Sequence, residues 1–452
     1  MVDNLRPGPH TMTKLLETFK GNPFYKSLCI SWKEGIPASI MQSITDDYFI
    51  PLVLFLGATP VEIGLFVAIP TLVSSVLQLW TSKAVDLIGS RLRCLVSSTA
   101  GQAFCLLPIA FLPLLTGTWR IGACIIFVTF FRIFGSLIST VWGSLTSDYL
   151  PAEERGHYFG WRSRIIGIAG ILGTIWGGLL LFNYRGTLQA AGFMILVAVT
   201  ALARFLSAGL MTRMQDLPAV KKPGDHFTFF MFLRRFRESN FVKFVFYVAS
   251  IMFATNLAAP FFSVYMLRDL HFNYFLFMII RFTSVAASLI SFPIWGKHAD
   301  AVGNAKVLKL TSFLIPAIPL LWMISPVPAY LICVEIFSGF VWGGFNLCAL
   351  NFIYDAVSSG KRIRCLSYFA FINGVAIFLG ATAGGFLIDH VPLFRGSAIL
   401  TVFLISGMLR FLSHFILSRK FQEVRLTAQK ISSLELFFSV MGIRQLGGRN
   451  KS

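Results

Sequence analysis

The sequence predicts an all-α polytopic membrane protein with 12 transmembrane helices in two pseudo-symmetric six-helix bundles. Three observations predict it: twelve long apolar stretches, a composition with few charges, and an internal repeat. Of the 452 residues, 56% are hydrophobic and 13% are charged, whereas soluble domains have about 25% charged residues. A soluble chain this apolar could not cover its surface with polar groups, so we expect the lipid bilayer to surround it.

Each apolar stretch is long enough, at about 20 residues, to cross the roughly 30 Å hydrocarbon core as a helix. They form two sets of six, separated by a basic linker that contains Lys221, Lys222 and Arg235. The first set lies near residues 35–57, 61–82, 92–115, 119–146, 159–182 and 187–211. The second set lies near residues 241–267, 272–295, 306–325, 328–352, 364–388 and 393–418.

This spacing predicts five segments along the chain. They are an N-terminal cytoplasmic segment (1–34), a first bundle (35–211), a cytoplasmic linker (212–240), a second bundle (241–418) and a cytoplasmic tail (419–452).

The net charge of +19 reflects topology rather than nucleic-acid binding. Of the 39 Lys and Arg residues, 31 fall in the two terminal segments, the linker, alternate loops and the span ends next to them, and four fall in the opposite loops. Positive charge accumulates on the cytoplasmic side of membrane proteins, so both termini are expected in the cytoplasm. We expect an integral protein of a bacterial inner membrane, monomeric, in contact with the lipid bilayer and with no nucleic acid as partner.

The two sets of spans repeat one another in sequence. Gly173 and Gly178 in the fifth span match Gly380 and Gly385 in the eleventh, 207 residues later. The segment Arg-Phe-Leu-Ser at 204–207 recurs at 410–413. In-order matches at nearly one offset indicate a duplicated unit. Packed repeats with a cleft between them are the architecture of alternating access, with a binding site near the bilayer midplane.

Two loops make the chain resemble the major facilitator superfamily across essentially all twelve spans. Residues 82–93 read SKAVDLIGSRLR, close to the superfamily loop GxxxDxxGR[RK]x[RK], although serine stands at the first and ninth positions. Residues 148–156 read DYLPAEERG, like its DxxPxxxRG loop. The resemblance implies a transporter, not an enzyme. It places a cytoplasmic gate at Asp86, Gly89, Arg91, Asp148, Arg155, Asp300, Gly303, Asp355 and Arg362.

Ionisable residues within the spans supply the functional hypothesis. A charged side chain at the bilayer centre costs about 2.5–3.5 kcal/mol on insertion scales, so each needs a partner or a function. Several of these ionisable residues begin a stripe of polar or small residues along one face of their helix. The resemblance implies that spans one, four, seven and ten line the central cavity. The predicted solute and proton cavity comprises Asp46, Asp47, Arg132, Arg281, Glu335, Asn256, Gln42, Trp342, Asn346 and Asn373.

The sequence therefore predicts a secondary transporter that moves a small solute, an organic anion among the candidates, by alternating access. Proton symport is the first hypothesis: Asp46 exchanges the proton while Asp47 and Glu335 pair with Arg132 and Arg281. Uniport, antiport, a lipid flippase and a non-transporting sensor or assembly protein on the same scaffold remain alternatives. Buried charges and small-residue stripes also occur as structural locks and packing faces. No cofactor and no metal site are expected, because no His/Cys cluster has metal-ligand spacing.

Overall fold

The computed structural model describes residues 21–217, 234, 238–357, 362–424 and 433–440. The side chains of residues 82, 152–157, 362–363 and 433–434 fall outside this description. Within it, regular secondary structure is helical, in agreement with the all-α prediction.

Twelve helical spans, α1–α12, follow one another in the described residues. The first six are α1 (Tyr25–Phe55), α2 (Pro60–Gln78), α3 (Arg91–Phe111), α4 (Trp119–Ser147), α5 (Ala152–Asn183) and α6 (Gln189–Met211). The second six are α7 (Asn240–Asn256), α8 (Tyr274–Val302), α9 (Asn304–Leu314), α10 (Pro328–Ala356), α11 (Arg362–Ile388) and α12 (Ala398–Leu417). Short helices follow α2 (Thr81–Ile88), α7 (Ala259–Val264), α9 (Ala317–Trp322) and α12 (Ser433–Val440).

Eleven of the spans are apolar and long enough to cross a membrane by length and composition, when α7 and α9 are counted together with the short helices that continue them (Asn240–Asp269 and Asn304–Trp322). The exception is α1, which has 31 residues but carries Asp46 and Asp47 together with several other polar side chains. Its length far exceeds the roughly 20 residues that a crossing needs. The low hydropathy of α1 thus comes from the residues that make it a functional candidate.

Two predicted spans are broken where the sequence expectation was continuous. The seventh breaks after Asn256 and resumes at Ala259, with Pro260 in the first turn of the new helix. The ninth breaks at Ile315, directly before Pro316. Proline lacks the N–H for the helical hydrogen bond and disfavours helical geometry in the preceding residue. The prolines therefore set these break points.

Matched glycines pack the two bundles in the same way. A Cβ atom on Gly173 of α5 would lie 2.8 Å from the Ser43 hydroxyl of α1. At the repeat-related position in α11, a Cβ on Gly380 would meet the carbonyl oxygen of Phe253 in α7. In each bundle the fifth helix therefore approaches the first closely because no side chain intervenes. The duplication seen in sequence is a structural duplication.

The bundles meet through α2 against α11 and through α5 against α8. We call the side that holds the start of α1 and the end of α12 the near side, and the opposite side the far side. On the far side, the Gln189 amide donates to the Tyr274 hydroxyl (2.9 Å) and Tyr274 packs edge-on against Phe193. The first bundle therefore contacts the second on the far side.

Candidate functional site

An ion pair joins the two bundles at the centre of the protein. Nε and Nη2 of Arg281 (α8) donate to one Asp47 carboxylate oxygen (α1), at 3.0 and 2.9 Å. The Thr174 hydroxyl (α5) donates to the other oxygen at 2.7 Å. The side chain of Asp47 is 5% exposed and that of Arg281 is 36% exposed. Since α1 and α8 belong to different bundles, this pair must change if the bundles separate here.

A second ion pair lies within the first bundle. Arg132 Nη2 (α4) donates to Asp46 Oδ1 at 3.1 Å, and the Gln42 amide donates to Asp46 Oδ2 at 2.7 Å. Both charged side chains are open, with 44% of Asp46 and 42% of Arg132 exposed. Adjacent aspartates thus have different environments: Asp47 is enclosed, whereas Asp46 is accessible.

The third candidate carboxylate pairs differently from the sequence expectation. Trp322 Nε1 donates to Glu335 Oε1 at 3.2 Å, and Glu335 lines a cavity of about 320 Å³ together with Arg281. Arg132 pairs with Asp46, and not with Asp47 or Glu335 as the sequence hypothesis required. The reason is positional, because Arg132 and Asp46 share one bundle while Glu335 is 8% exposed in the other.

The neutral candidates divide into two groups. Trp342 lines the same cavity as Glu335, and Asn346, one turn further along α10, is exposed. Asn256 and Asn373 instead donate to carbonyls of their own helices, at Met252 (2.9 Å) and Phe369 (2.8 Å). The geometry therefore brings Trp342 close to the charged residues and gives Asn256 and Asn373 local bonds.

The loop after α2 is held inside the first bundle. Gly89 adopts φ +73°, the left-handed region that glycine favours, at the end of the short helix Thr81–Ile88. Nη1 of Arg91 then donates to Asp148 Oδ2 (2.8 Å) and to the Ser144 hydroxyl (2.9 Å). This contact joins the two loops that carry the sequence motifs.

The corresponding loop of the second bundle uses an amide instead of a guanidinium. Gly303 has φ +94° between α8 and α9, and the Asn304 amide donates to Asp355 Oδ2 at 2.7 Å. Asp86 and Asp300 lie on the short helix Thr81–Ile88 and near the end of α8. The side chains of Arg155 and Arg362 lie outside the described residues, and the gate role of the whole set stays a prediction.

A family comparison decides the identity of this fold. The family model described as Major Facilitator Superfamily matches residues 28–280 and 244–440. The chain belongs to the major facilitator superfamily. Superfamily members are transporters and not enzymes, as the loop motifs implied.

Solved structures agree with this assignment at the level of the fold. A mutant of the nucleoside transporter NupG has 14% identity and a TM-score of 0.69 over 87% of this chain and 100% of its own. The D-xylose-proton symporter has 11% identity and a TM-score of 0.69, over 89% and 99%. A bacterial homologue of the iron transporter ferroportin, in an inward-facing state, has 14% identity and a TM-score of 0.63, over 86% and 98%. The comparison with curated proteins finds no match.

This superfamily member also contains a buried polar network that sequence reasoning missed. Glu34, 1% exposed, accepts from Trp142 Nε1 (2.9 Å), Arg162 Nη2 (3.1 Å) and the Ser207 hydroxyl (3.0 Å). Arg204 also lies near enough for electrostatic attraction. Glu34 directly precedes the predicted first span, so the span prediction does not place it within the membrane. The recurrence of Arg204 in the repeat was the available signal.

Proposed function

We propose that this protein is a secondary active transporter that moves a small solute by alternating access, coupled to proton symport. The observation that carries the proposal is the central pair of contacts: Asp46–Arg132 is open to solvent, and Asp47–Arg281 joins the bundles. Costly buried charges at the junction of two repeats are expected where solute and coupling ion bind. A scaffold protein without transport has no need to keep them.

The charge balance supports proton coupling. Among the residues predicted for the cavity, ionised Asp46, Asp47 and Glu335 exceed Arg132 and Arg281 by one negative charge. Arginine stays protonated at accessible pH, so a carboxylate must carry any exchangeable proton. Asp46 is the favoured carrier because it is accessible and directly precedes Asp47. Protonation of Asp46 would release Arg132 to hold an anionic group of the solute.

The near side corresponds to the cytoplasm in this proposal. The excess of Lys and Arg in the terminal segments and the linker supports that orientation. The proposed setting is a bacterial inner membrane, with a single chain as the working unit. Charged gate residues, Arg91 and Asp148 among them, lie in the near-side loops. They would act on the cytoplasmic end of the solute path.

Asp46→Asn tests the coupling. A thermal-shift screen of the purified protein against organic acids, sugars and nucleosides first identifies a solute that stabilises it. In proteoliposomes with an imposed proton gradient, wild type is expected to accumulate that solute. Asp46→Asn is expected to lose accumulation but to retain exchange of labelled for unlabelled solute. Exchange requires only that the solute binds and that the two bundles reorient, and neither step needs net proton movement. Asp389→Asn serves as the matched control, because Asp389 is exposed and is not one of the predicted cavity residues.

Proton-driven accumulation by Asp46→Asn at the wild-type stoichiometry would remove Asp46 from this role. Binding of the solute without any uptake or exchange by wild type would favour the sensor alternative. Uptake that equilibrates but never concentrates, with or without a gradient, would indicate a uniporter.

A far-side cross-link tests alternating access. Gln189 and Tyr274 join α6 to α8 across the bundles at 2.9 Å. Because this contact joins the ends of two long side chains, a direct disulfide would be too short to replace it. Cysteines at both positions, in a background without the exposed Cys333, are therefore joined with a bifunctional methanethiosulfonate reagent, and this cross-link is expected to arrest transport. Reduction should restore it. The matched control is a cysteine pair at Asp269 and Ser397, which are in contact within the second bundle. Full activity of the cross-linked pair at positions 189 and 274 would contradict opening of the far side.

A further inference from the structure

Arg410 of α12 is a buried cation without an anion. Its side chain is 1% exposed. The guanidinium donates to the Ser406 hydroxyl (3.1 Å) and to the carbonyl oxygens of Ile315 and Thr255 (both 3.4 Å). Within the described residues no carboxylate forms an ion pair with it. Burying a charge is strongly unfavourable unless an opposite charge and hydrogen bonds compensate for it.

The first bundle shows how its own copy of this arginine is compensated. Arg204 occupies the position in α6 that repeats as Arg410. Arg204 Nε donates to the Gln102 amide oxygen at 2.7 Å, and the carboxylate of Glu34 attracts it. Ser207, three residues after Arg204, donates to the same carboxylate at 3.0 Å. The counter-charge is therefore part of the protein in this bundle.

The second bundle replaces that carboxylate with a hydroxyl. Ser413, three residues after Arg410, corresponds to Ser207 in the repeat. The Ser250 hydroxyl donates to Ser413 Oγ at 2.6 Å, so Ser413 has a hydroxyl partner whereas Ser207 has the Glu34 carboxylate. The duplicated arginine has been kept while its internal counter-charge has not.

A cavity lies beside Arg410. Its volume is about 320 Å³, and Arg410 and Thr255 both line it. The Thr255 hydroxyl oxygen is buried and has no hydrogen-bond partner. Since the Thr255 carbonyl accepts from Arg410, the guanidinium and the unpartnered hydroxyl belong to the same corner. Two other charged residues also line the cavity, but Arg281 is paired with Asp47 and Glu335 is bonded to Trp322.

We propose that this corner of the cavity binds a compact anion, either chloride or the carboxylate group of a small organic acid. The anion accepts from Arg410 and from the Thr255 hydroxyl, and replaces the carboxylate that Glu34 supplies in the first bundle. The volume admits a carboxylate of a few carbon atoms as well as a halide. This corner shares its cavity with Arg281, Glu335 and Trp342 of the predicted solute cavity, whereas Asp46 and Arg132 are not among the lining residues. Anion binding here is measured without a proton gradient, so its test does not depend on the proposed proton coupling.

Thermal unfolding of the purified full-length protein tests the site. Sodium chloride and sodium acetate are titrated separately at constant ionic strength, with a large sulfonate as the replacement anion. A ligand that binds the native form at 100 times its Kd lowers the apparent unfolding constant about 100-fold. Wild type is expected to show a saturable rise in Tm. The chloride arm and the acetate arm distinguish a halide site from a carboxylate site.

Two variants separate the site from general salt effects. Ser250→Glu adds to the second bundle a carboxylate like that of Glu34 in the first. This variant is expected to fold with a raised Tm that no longer depends on either anion. Arg410→Met removes the cation and is likewise expected to lose the anion response. Gel filtration in detergent verifies that each variant is folded. An equal anion-dependent rise in Ser250→Glu and wild type, or no saturable rise in wild type, would overturn the proposal.

Discussion

Replacing Arg281 with methionine is expected to abolish transport and to destabilise the protein strongly. Arg281 gives two hydrogen bonds to a single oxygen of Asp47, whose side chain is 5% exposed. Without the guanidinium, an enclosed carboxylate keeps one neutral hydrogen bond, from Thr174. Removing one partner of a fully buried ion pair costs about 3–5 kcal/mol, and since Arg281 is 36% exposed we expect the lower end of that range. A fall in Tm in detergent and loss of uptake in proteoliposomes are the measurements.

A double-mutant cycle shows whether the pair itself is responsible. Asp47→Asn combined with Arg281→Met removes both charges, so the double variant is expected to be more stable than Arg281→Met alone. Transport should remain absent in the double variant, because the bond between the bundles is still missing. Additive losses of stability, or wild-type uptake by Arg281→Met, would show that the contact between Asp47 and Arg281 has no role in coupling the bundles.

The charged residues at the contact between the bundles could be predicted because charged side chains are rare in membrane-spanning helices. Asp46, Asp47, Arg132 and Arg281 lie in long apolar runs, where each charge needs a partner. Which carboxylate joins which guanidinium was not predictable from one sequence. The choice depends on how far α8 reaches across to α1, and periodicity does not encode the distance between helices.

Glu34, Arg204 and Arg410 were not predicted as part of a site. α1 begins at Tyr25, ten residues before the predicted span, because its polar first turns are buried by protein rather than by lipid. Glu34 therefore counted as a terminal residue although it is fully enclosed. Arg204 and Arg410 were visible as a repeat, but an arginine hydrogen-bonded to serine and carbonyl groups leaves no pattern in sequence.

Gly64→Ala is expected to reduce uptake by at least about tenfold with both bundles still folded. A Cβ at Gly64 of α2 would lie 2.5 Å from the carbonyl oxygen of Ala381 and 3.3 Å from the Cα of Gly385 in α11. These atoms are backbone and cannot rotate away, so the helices must separate. Overpacking of this kind costs about 1–3 kcal/mol, and a tenfold loss corresponds to about 1.4 kcal/mol.

Gly143→Ala is the matched control, because a Cβ at this position of α4 meets nothing within 4 Å. Alanine there should leave uptake unchanged and raise helix stability slightly, by about 0.5–1 kcal/mol. Gly385→Ala should behave like Gly64→Ala, since its Cβ would lie 2.7 Å from the Pro60 carbonyl oxygen. If α2 and α11 form the fulcrum on which the bundles rock, both variants of that crossing lose uptake while solute binding persists. Normal uptake by Gly64→Ala and Gly385→Ala would mean that α2 and α11 do not need to stay in close contact during the cycle.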